Sequence, residues 1–359
     1  MTITRRRSTL GLACVLLTAA MTAGAAATAV ARPVHAVRAF TLARVDARCF
    51  YAPSVPAMWP IRPFHRPHPI RGGLNEPRDE SPHIGVDIEA PDRAPVYAMT
   101  SGKITNVVNP GFPQEHFLLA GTYWYWHVTP VAGIGEGTYV SRGRLIGHVW
   151  PDWRHVHLSE YASCGLVDPR RPTGPLHDPA NTEHPVIGEL SAFVANARAY
   201  RRFKMSAVGS SGGPPGDPAK PVRLNNLHGR IDFRAPISDT PRHGTVGVPQ
   251  EPLMPSAVRS YLAPRHHPKR RIGPAILAFD GSTVIPADRF FHVLAFGTRR
   301  IKDCFVNPKY ECSVNYVFHV AAGGFRTRSV PNGRYLYCVQ ALNISNQGSR
   351  RCTPVVIRN

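Results

Sequence analysis

The sequence predicts an all-β protein with mostly antiparallel strands, arranged as two β-rich domains. Two observations carry this prediction. Around residue 83 and again around residue 155, β-branched residues alternate with polar ones, as in half-buried strands. Between residues 222 and 359, short apolar runs are separated by Gly, Pro and Asn, the pattern of strands joined by turns. A chain of 359 residues is also long enough for two domains of ordinary size.

Two short motifs place metal-binding side chains at even spacing: His83-Ile-Gly-Val-Asp87 and His155-Val-His157. Side chains alternate between the two faces of a strand, so residues two or four positions apart share a face. Gly85 argues against a helix interior. Two neighbouring strands could therefore aim two imidazoles and one carboxylate at one point, a donor set that suits Zn²⁺ with an open fourth position. The sequence has no HExxH, CxxC, P-loop or dinucleotide motif.

The residues around these motifs resemble the LytM/lysostaphin-type zinc endopeptidases, the M23 peptidases of peptidoglycan. The resemblance covers about residues 70–165, and its blocks occur in the order typical of that family. The blocks are Pro82-His-Ile-Gly-Val-Asp-Ile-Glu-Ala-Pro91, Pro95-Val-Tyr-Ala98 with Ser101-Gly-Lys-Ile104, Tyr125-Trp-His127, Val140-Ser-Arg-Gly-Arg-Leu-Ile-Gly147, and the HxH motif at residues 155–157. We therefore expect an M23-like β-sheet peptidase domain over residues 70–190.

The resemblance implies a role for each matching residue. It makes His83, Asp87 and His157 the ligands of a catalytic Zn²⁺, and it makes His155 and His127 the catalytic histidines that are not ligands. Which of these two is the general base stays open, since both imidazoles have a suitable intrinsic pKa. Aromatic residues expected to line a substrate groove are Trp124, Tyr125, Trp126 and Trp153.

Two departures from the family pattern bear on catalysis. The family usually follows the HxH motif with an aromatic residue and then Glu, whereas here Leu158 and Ser159 follow and Glu160 is displaced by one position. In a strand this displacement turns Glu160 to the opposite face. Trp126 also fills a position that is more often small. An alternative interpretation is therefore a catalytically inactive M23-like module that binds the wall or activates other wall hydrolases.

The N-terminus predicts export. Arg5-Arg-Arg7 precede an Ala- and Leu-rich run that ends in small residues near Ala31, the pattern of a secretory signal peptide over residues 1–31. An uncleaved anchor is the competing interpretation, and the export route stays open. Residues 32–69 would form a lead segment. No other stretch is long and apolar enough for a membrane span, so we expect a secreted or cell-envelope protein.

The cysteine count agrees with export. Without Cys14, which lies in the signal sequence, an even set remains, and such a set in a secreted chain predicts disulfides. Six cysteines allow 15 connectivities. We expect the pairing of neighbours in sequence: Cys49 with Cys164, Cys304 with Cys312, and Cys338 with Cys352.

The C-terminal part differs in composition and charge. An apolar pattern over Ile187–Arg202 predicts a short helix, and a Gly/Pro-rich linker completes residues 191–221. Residues 222–359 are expected to form a basic β-sandwich, and Pro331–Gly348 resembles the last hairpin of an immunoglobulin-like or fibronectin-like domain. The chain carries a net charge of +20, and the excess of Arg and Lys lies after residue 190. Such a domain attracts polyanions, with anionic envelope polymers favoured over nucleic acid.

Together these features predict an exported, zinc-dependent endopeptidase that hydrolyses peptide bonds in the stems or cross-bridges of peptidoglycan. The basic domain would hold the enzyme on the envelope. A third hypothesis takes polyanion binding as the main role and the metal site as structural.

Overall fold

The structure is a computed structural model that describes residues 56, 58–78, 81–108, 116–119, 122–178, 181–196, 219–240, 252–295, 297–301 and 313–359. The predicted signal peptide, most of the lead segment, Cys49, Cys304 and Cys312 lie outside these residues. Within the described part of the chain, no helix is both long and apolar enough to cross a membrane.

The prediction of an all-β, antiparallel fold is confirmed, since every paired strand in the described sheets runs antiparallel to its neighbour. In the N-terminal half the strands are β1 (Ile70–Gly72), β2 (Pro77–Arg78), β3 (Ser81–Pro82), β4 (Val86–Glu89), β5 (Pro95–Tyr97), β6 (Gly102–Val108), β7 (His116–Leu119), β8 (Tyr123–Trp126), β9 (Val128–Pro130), β10 (Tyr139–Val140), β11 (Leu145–Val149), β12 (His155–Ala162) and β13 (Gly165–Val167).

The C-terminal half continues the pattern with longer strands and little helix. Its elements are β14 (Val186–Ile187), β15 (Ser191–Val194), β16 (Arg230–Ser238), β17 (Ala257–Pro264), β18 (Ile272–Asp280), the one-turn helix α1 (Phe290–Val293), β19 (Arg299–Ile301), β20 (Ser313–Asn315), β21 (Val317–His319), β22 (Phe325–Arg326), a 3-10 turn (Thr327–Ser329), β23 (Gly333–Leu342) and β24 (Gly348–Ile357).

The N-terminal half is organised around a large sheet in the order β1-β4-β12-β8-β7-β6-β10, with β13 paired to β12. A smaller sheet, β5-β11-β9, covers one side. Val86 and Ile88 of β4, together with Val156 and Leu158 of β12, point into the core between them and are fully buried. Burying each of these side chains contributes about 1.5–3 kcal/mol to stability. This free energy determines which face of the two strands is turned inward. The alternate residues are therefore turned to the other face.

The core of this half begins before the predicted boundary at residue 70. Trp59 and Ile61 are almost fully buried and belong to the same apolar cluster as Ile70. This part of the expected lead segment therefore packs as a component of the first sheet region.

The C-terminal half contains two main sheets around an apolar core, and β19 and β20 form a separate two-stranded sheet. One sheet has β16 at its centre, paired with β14, β15, β21 and β22, and the other has the order β18-β17-β23-β24. Phe233 from the first sheet stacks on Tyr337 from the second, with ring centroids 3.9 Å apart. Both sheets thus bury their inner faces against each other, as expected for a β-sandwich.

The helix predicted over Ile187–Arg202 is wrong in its described part. Residues 186–187 and 191–194 form β14 and β15, and both strands pair with β16. The spacing of Ile187 and Leu190 suits a helix, but both residues are buried in the core of the sandwich. Pairing with the backbone of β16 therefore outweighed the helical periodicity of this segment.

Asn75 helps to join the two halves of the fold. The side chain of Asn75 donates to the carbonyl of Thr283 at 2.8 Å and accepts from the backbone N–H of Ile285 at 2.7 Å. The backbone N–H of Val284 also donates to the carbonyl of Leu166. The loop that precedes β4 is consequently fixed against the C-terminal half.

One predicted disulfide lies within the described residues and is present. Cys338 and Cys352 face each other on β23 and β24 and are joined by an S–S bond of 2.03 Å. Cys164 is also disulfide-bonded, and its predicted partner Cys49 lies outside the described residues.

A buried carboxyl predicts how the stability of the fold depends on pH. Burial raises the pKa of Asp239 to about 7, although Arg170 opposes the shift. The pKa of Asp239 is higher in the folded state than its unfolded value of ~3.9, so the protonated carboxyl stabilises the fold fully below pH ~3.9. This stabilisation is lost as the pH rises through about 7. We expect Asp239→Asn to raise the free energy of unfolding, relative to the wild type, by about 2–4 kcal/mol more at pH 8 than at pH 5. Urea unfolding at the two pH values measures this difference. The exposed Asp288→Asn is the control, and identical pH dependence of wild type and Asp239→Asn would contradict the prediction.

Candidate metal centre

The two metal-binding motifs meet because their strands are neighbours. β4 and β12 pair with Asp87 directly opposite His157, and His83 lies in the turn just before β4. On both strands the core takes the alternate residues, so Asp87, His155 and His157 are turned to the same face. All three donor residues are nearly buried, with His83 5%, Asp87 3% and His157 7% exposed.

The donor atoms form a tight triangle. His83 Nε2 lies 2.8 Å from His157 Nδ1, and Asp87 Oδ1 lies 3.1 Å from each of these nitrogens. A tetrahedral ion with bonds of about 2.0–2.1 Å needs donors about 3.3 Å apart. Two imidazole nitrogens and one carboxylate oxygen at this spacing fit a small divalent cation such as Zn²⁺. Among the described residues, these three form the group that could hold a metal ion.

The backbone around His83 fixes which of its nitrogens faces the centre. His83 Nδ1 lies 2.8 Å from the carbonyl oxygen of Gly73, which can only accept a hydrogen bond. The Nδ1 position therefore carries the proton, and the lone pair is left on Nε2, which is the atom in the triangle. Two backbone hydrogen bonds, Asn75 N–H to His83 O and His83 N–H to Glu76 O, hold the turn in place.

Ser159 supports the second imidazole. His157 presents Nδ1 to the triangle, and its Nε2 lies 3.0 Å from the hydroxyl of Ser159, which is buried. The two residues share a face of β12, so the hydroxyl can accept the Nε2 proton and fix the orientation of the ring. In the sequence, the one sign of this contact is the even spacing of the two residues.

Arg78 holds the carboxylate. Its guanidinium donates to Asp87 Oδ2 at 2.7 Å and to Glu76 Oε2 at 3.3 Å. Burial alone would raise the pKa of Asp87, but the nearby His83, His155 and Arg78 outweigh it and hold that pKa well below its usual range. Burial, assisted by Arg78, lowers the pKa of His83 to about 3. The centre is therefore set up with an ionised carboxylate and a neutral His83 at neutral pH.

His155 lies beside the triangle rather than in it. Its Nε2 is 3.6 Å from Asp87 Oδ1, and its Nδ1 is 2.5 Å from the carbonyl oxygen of Trp153. The carbonyl accepts the Nδ1 proton, which leaves the lone pair on Nε2, on the side of the centre. Burial lowers the pKa of His155. Arg71 donates to the same Trp153 carbonyl at 3.0 Å and helps to fix it.

His127 completes the group from a third strand end. It lies between β8 and β9 in a left-handed backbone conformation, with φ of 60°, and its ring stacks on Trp153 at a centroid distance of 3.7 Å. Its ring centroid is 4.9 Å from that of His155 and 6.2 Å from that of His157. The structure thus brings together all five residues to which the sequence assigned metal binding or catalysis.

The expected groove residues divide into two groups. Trp126 and Trp153 are half-buried and contact the centre, since the Trp126 ring lies 5.6 Å from His157 and Trp153 stacks on His127. Trp124 lies on the same face of β8 and contacts Trp126.

Tyr125 does not belong with these aromatics, and its assignment to the groove is wrong. It is fully buried in the core, where its hydroxyl accepts a hydrogen bond from the backbone N–H of Met99 at 2.9 Å. Burial raises the pKa of this hydroxyl.

The displaced Glu160 binds Arg171 and does not contact the donor triangle. It is 1% exposed, and Arg171, equally buried, donates to both of its carboxylate oxygens at 2.6 and 3.0 Å. A bidentate, mutually buried pair of this kind ties β12 to the loop after β13. Support of the metal ligands comes instead from Ser159, Arg78 and the Gly73 carbonyl.

Gly85 is required by the closeness of the two strands. A Cβ at this position would lie 2.4 Å from the carbonyl oxygen of Leu158 and 2.7 Å from His157 Nε2. We expect Gly85→Ala to push β4 and β12 apart, lower the stability by about 1–3 kcal/mol and weaken metal binding. Urea unfolding and zinc titration test this. Gly135→Ala is the matched control, since nothing lies within 4 Å of its added methyl group, and equal behaviour of the two variants would contradict the steric argument.

Comparisons with known proteins give structural matches only. No family model matches the sequence, and no characterised protein matches it in a sequence search. A Pseudomonas aeruginosa structure assigned to peptidase M23 is 23% identical over 33% of this chain and 52% of its own, with a TM-score of 0.24. A zinc-containing peptidase from Vibrio cholerae is 23% identical over 31% of this chain and 38% of its own, with a TM-score of 0.26.

A third match is the catalytic domain of the antimicrobial peptidase lysostaphin from Staphylococcus simulans. It is 23% identical over 27% of this chain and 84% of its own, with a TM-score of 0.23. The chain thus spans about half or less of the first two structures and most of the lysostaphin catalytic domain.

Proposed function

We propose that this protein is an exported, zinc-dependent endopeptidase that hydrolyses peptide bonds in the stems or cross-bridges of bacterial peptidoglycan. The observation that carries the proposal is the convergence of His83 Nε2, Asp87 Oδ1 and His157 Nδ1 within 4.8 Å of one another. Two further imidazoles, His127 and His155, flank this triangle without joining it. A structural zinc site is almost always closed by four protein ligands, whereas a catalytic site has three and keeps one position open.

Each residue has a distinct part in the proposed hydrolysis. Zn²⁺, when bound by the three donors, supplies a Lewis acid that polarises a peptide carbonyl and lowers the pKa of water to ~7. His155 presents the Nε2 lone pair towards the centre because its Nδ1 proton is held by Trp153, so it can take a proton from the attacking water and return it to the leaving amine. His127, stacked on Trp153, is placed to donate a hydrogen bond to the developing oxyanion.

The substrate class rests on the sequence motifs and on the aromatic side chains beside the site. The ordered blocks over residues 70–165 resemble peptidases of peptidoglycan, whose peptides are open and extended. Trp126 and Trp153 flank the triangle as half-buried aromatic surfaces and could bind such a peptide. Disulfide-bonded Cys164 and the Cys338–Cys352 bond support an oxidising, extracellular or envelope location.

The test is release of soluble fragments from purified peptidoglycan, with zinc content measured on the same sample. New free amines from a protein with one zinc per chain are expected, and mass analysis of the fragments identifies the bond. A zinc-free protein that leaves the wall intact would favour the inactive wall-binding module. A zinc-loaded protein that releases nothing from any wall type would refute a peptidoglycan endopeptidase.

A further inference from the structure

Four arginines gather at one end of the C-terminal sandwich. Arg230, at the start of β16, lies directly opposite Arg326 of β22 in the strand register. The backbone N–H of Thr327 donates to the carbonyl of Gly229 at 2.9 Å, which places Arg328 beside the same strand end. We call Arg230, Arg326, Arg328 and Arg358 the arginine cluster.

Arg358 reaches this end from the last strand. Its backbone N–H donates to the carbonyl of Leu227 at 2.8 Å, just before β16. The next residue, Asn359, accepts a hydrogen bond from the hydroxyl of Thr327 at 2.6 Å, between Arg326 and Arg328. The cluster therefore sits on backbone that is fixed by three separate chain segments.

The charge of the cluster is not balanced by acidic side chains. All four arginines are exposed, and residues 219–231 and 323–359 contain neither Asp nor Glu. None of the four forms an ion pair in the part of the chain that the structure describes. Like charges directly opposite on paired strands, as in Arg230 and Arg326, destabilise a sheet. A bound anion would offset this repulsion.

The cluster borders a cleft. The guanidinium of Arg230 donates to the carbonyl of Gly323, which itself lines an open cleft with Arg289 and His292. Asp288 also lines this cleft and is its acidic member. The basic surface therefore extends beyond a site for one phosphate group and continues around the loop that contains Gly323.

The composition of this surface indicates what it binds. Its cations are arginines, whose planar guanidinium matches two phosphate oxygens at once. Base stacking, by contrast, needs exposed aromatic rings, and the exposed large apolar residues in the described chain are Tyr139, Tyr161 and Val186, all outside this end. We propose that the arginine cluster binds a linear phosphodiester polymer that carries no nucleobases, and so holds the protein on an anionic surface.

This proposal does not depend on hydrolysis, and it is tested by binding alone. The probe is poly(glycerol phosphate), compared with a single-stranded oligonucleotide of the same phosphate number. The cluster variant combines Arg230→Gln, Arg326→Gln and Arg328→Gln in the full chain. The matched control combines Arg265→Gln, Lys269→Gln and Arg270→Gln, which removes the same charge from the exposed turn between β17 and β18.

We expect the cluster variant to bind poly(glycerol phosphate) at least about tenfold more weakly, with a salt dependence lower by about two to three counterions. The control should retain most of the affinity, and thermal unfolding should show both variants folded. An equal loss of affinity in the two variants would show that net charge alone governs binding, and it would overturn the proposal. Tighter binding of the oligonucleotide than of poly(glycerol phosphate) would assign the surface to nucleic acid instead, and no binding by the wild type would remove it altogether.

Discussion

Replacing Asp87 with Ala is expected to empty the metal centre and abolish hydrolysis. Asp87 Oδ1 is the single anionic donor in the triangle, 3.1 Å from both imidazole nitrogens. Without it, two imidazoles remain to hold a dication. Loss of a residue that merely orients a ligand weakens zinc binding by roughly 10–100-fold, so loss of the ligand itself should exceed about 100-fold. Competition with a chromogenic chelator measures this directly.

The variant should still fold, because its neighbours keep partners. Arg78 retains its ion pair with Glu76 at 3.3 Å when the carboxylate of Asp87 is removed. Asp87→Asn preserves the shape of the side chain and serves as a second variant if Asp87→Ala is unstable. Asp288→Ala removes an exposed carboxylate elsewhere and should leave both zinc content and hydrolysis unchanged. Stoichiometric zinc in purified Asp87→Ala would show that the ion is held by other residues.

The closeness of Asp87 to His157 could be predicted from the sequence because it depends on strand periodicity. Val86 and Ile88 are buried on one face of β4, and that burial alone turns Asp87 to the other face. The same alternation on β12 places His155 and His157 together. Once the two strands are neighbours, this alternation brings Asp87 and His157 together, whereas His83 lies before β4 and reaches them through its contacts with Gly73, Asn75 and Glu76.

The failure at Tyr125 has a local backbone cause. Tyr125 and His127 are two residues apart and would share a face in a regular strand. The positive φ of His127 breaks this alternation, so Tyr125 enters the core while His127 faces the centre. A left-handed conformation at a residue other than Gly has no sequence signature here.

The supporting residues could not be predicted because they depend on contacts between distant segments. Arg78 reaches Asp87 only because the turn from β2 to β3 folds over β4. The Gly73 carbonyl reaches His83 in the same way, and Trp153 fixes two histidines through its ring and its carbonyl. Nothing in the spacing of these residues distinguishes them from other polar or aromatic positions in loops.

Replacing His155 with Ala is expected to separate chemistry from metal binding. His155 Nε2 lies 3.6 Å from Asp87 Oδ1 but is not a member of the donor triangle. The variant should therefore retain one zinc per chain with an affinity close to that of the wild type. Its kcat on a soluble peptidoglycan peptide should fall by roughly 10²–10⁴-fold, the usual contribution of a general acid or base. KM should change far less, since the aromatic surfaces of Trp126 and Trp153 remain.

His148→Ala is the matched control, because this partly exposed histidine lies on β11 and is not one of the five residues at the centre. It should keep both zinc and rate. An empty site in His155→Ala would mean that the roles of His155 and His157 within the HxH motif are exchanged. Full zinc occupancy with an unchanged rate would instead move the proton transfer to His127, whose ring lies 4.9 Å from that of His155 and shares Trp153 as a neighbour. The zinc content and the rate of this one variant thus distinguish a ligand, a base and a bystander at residue 155.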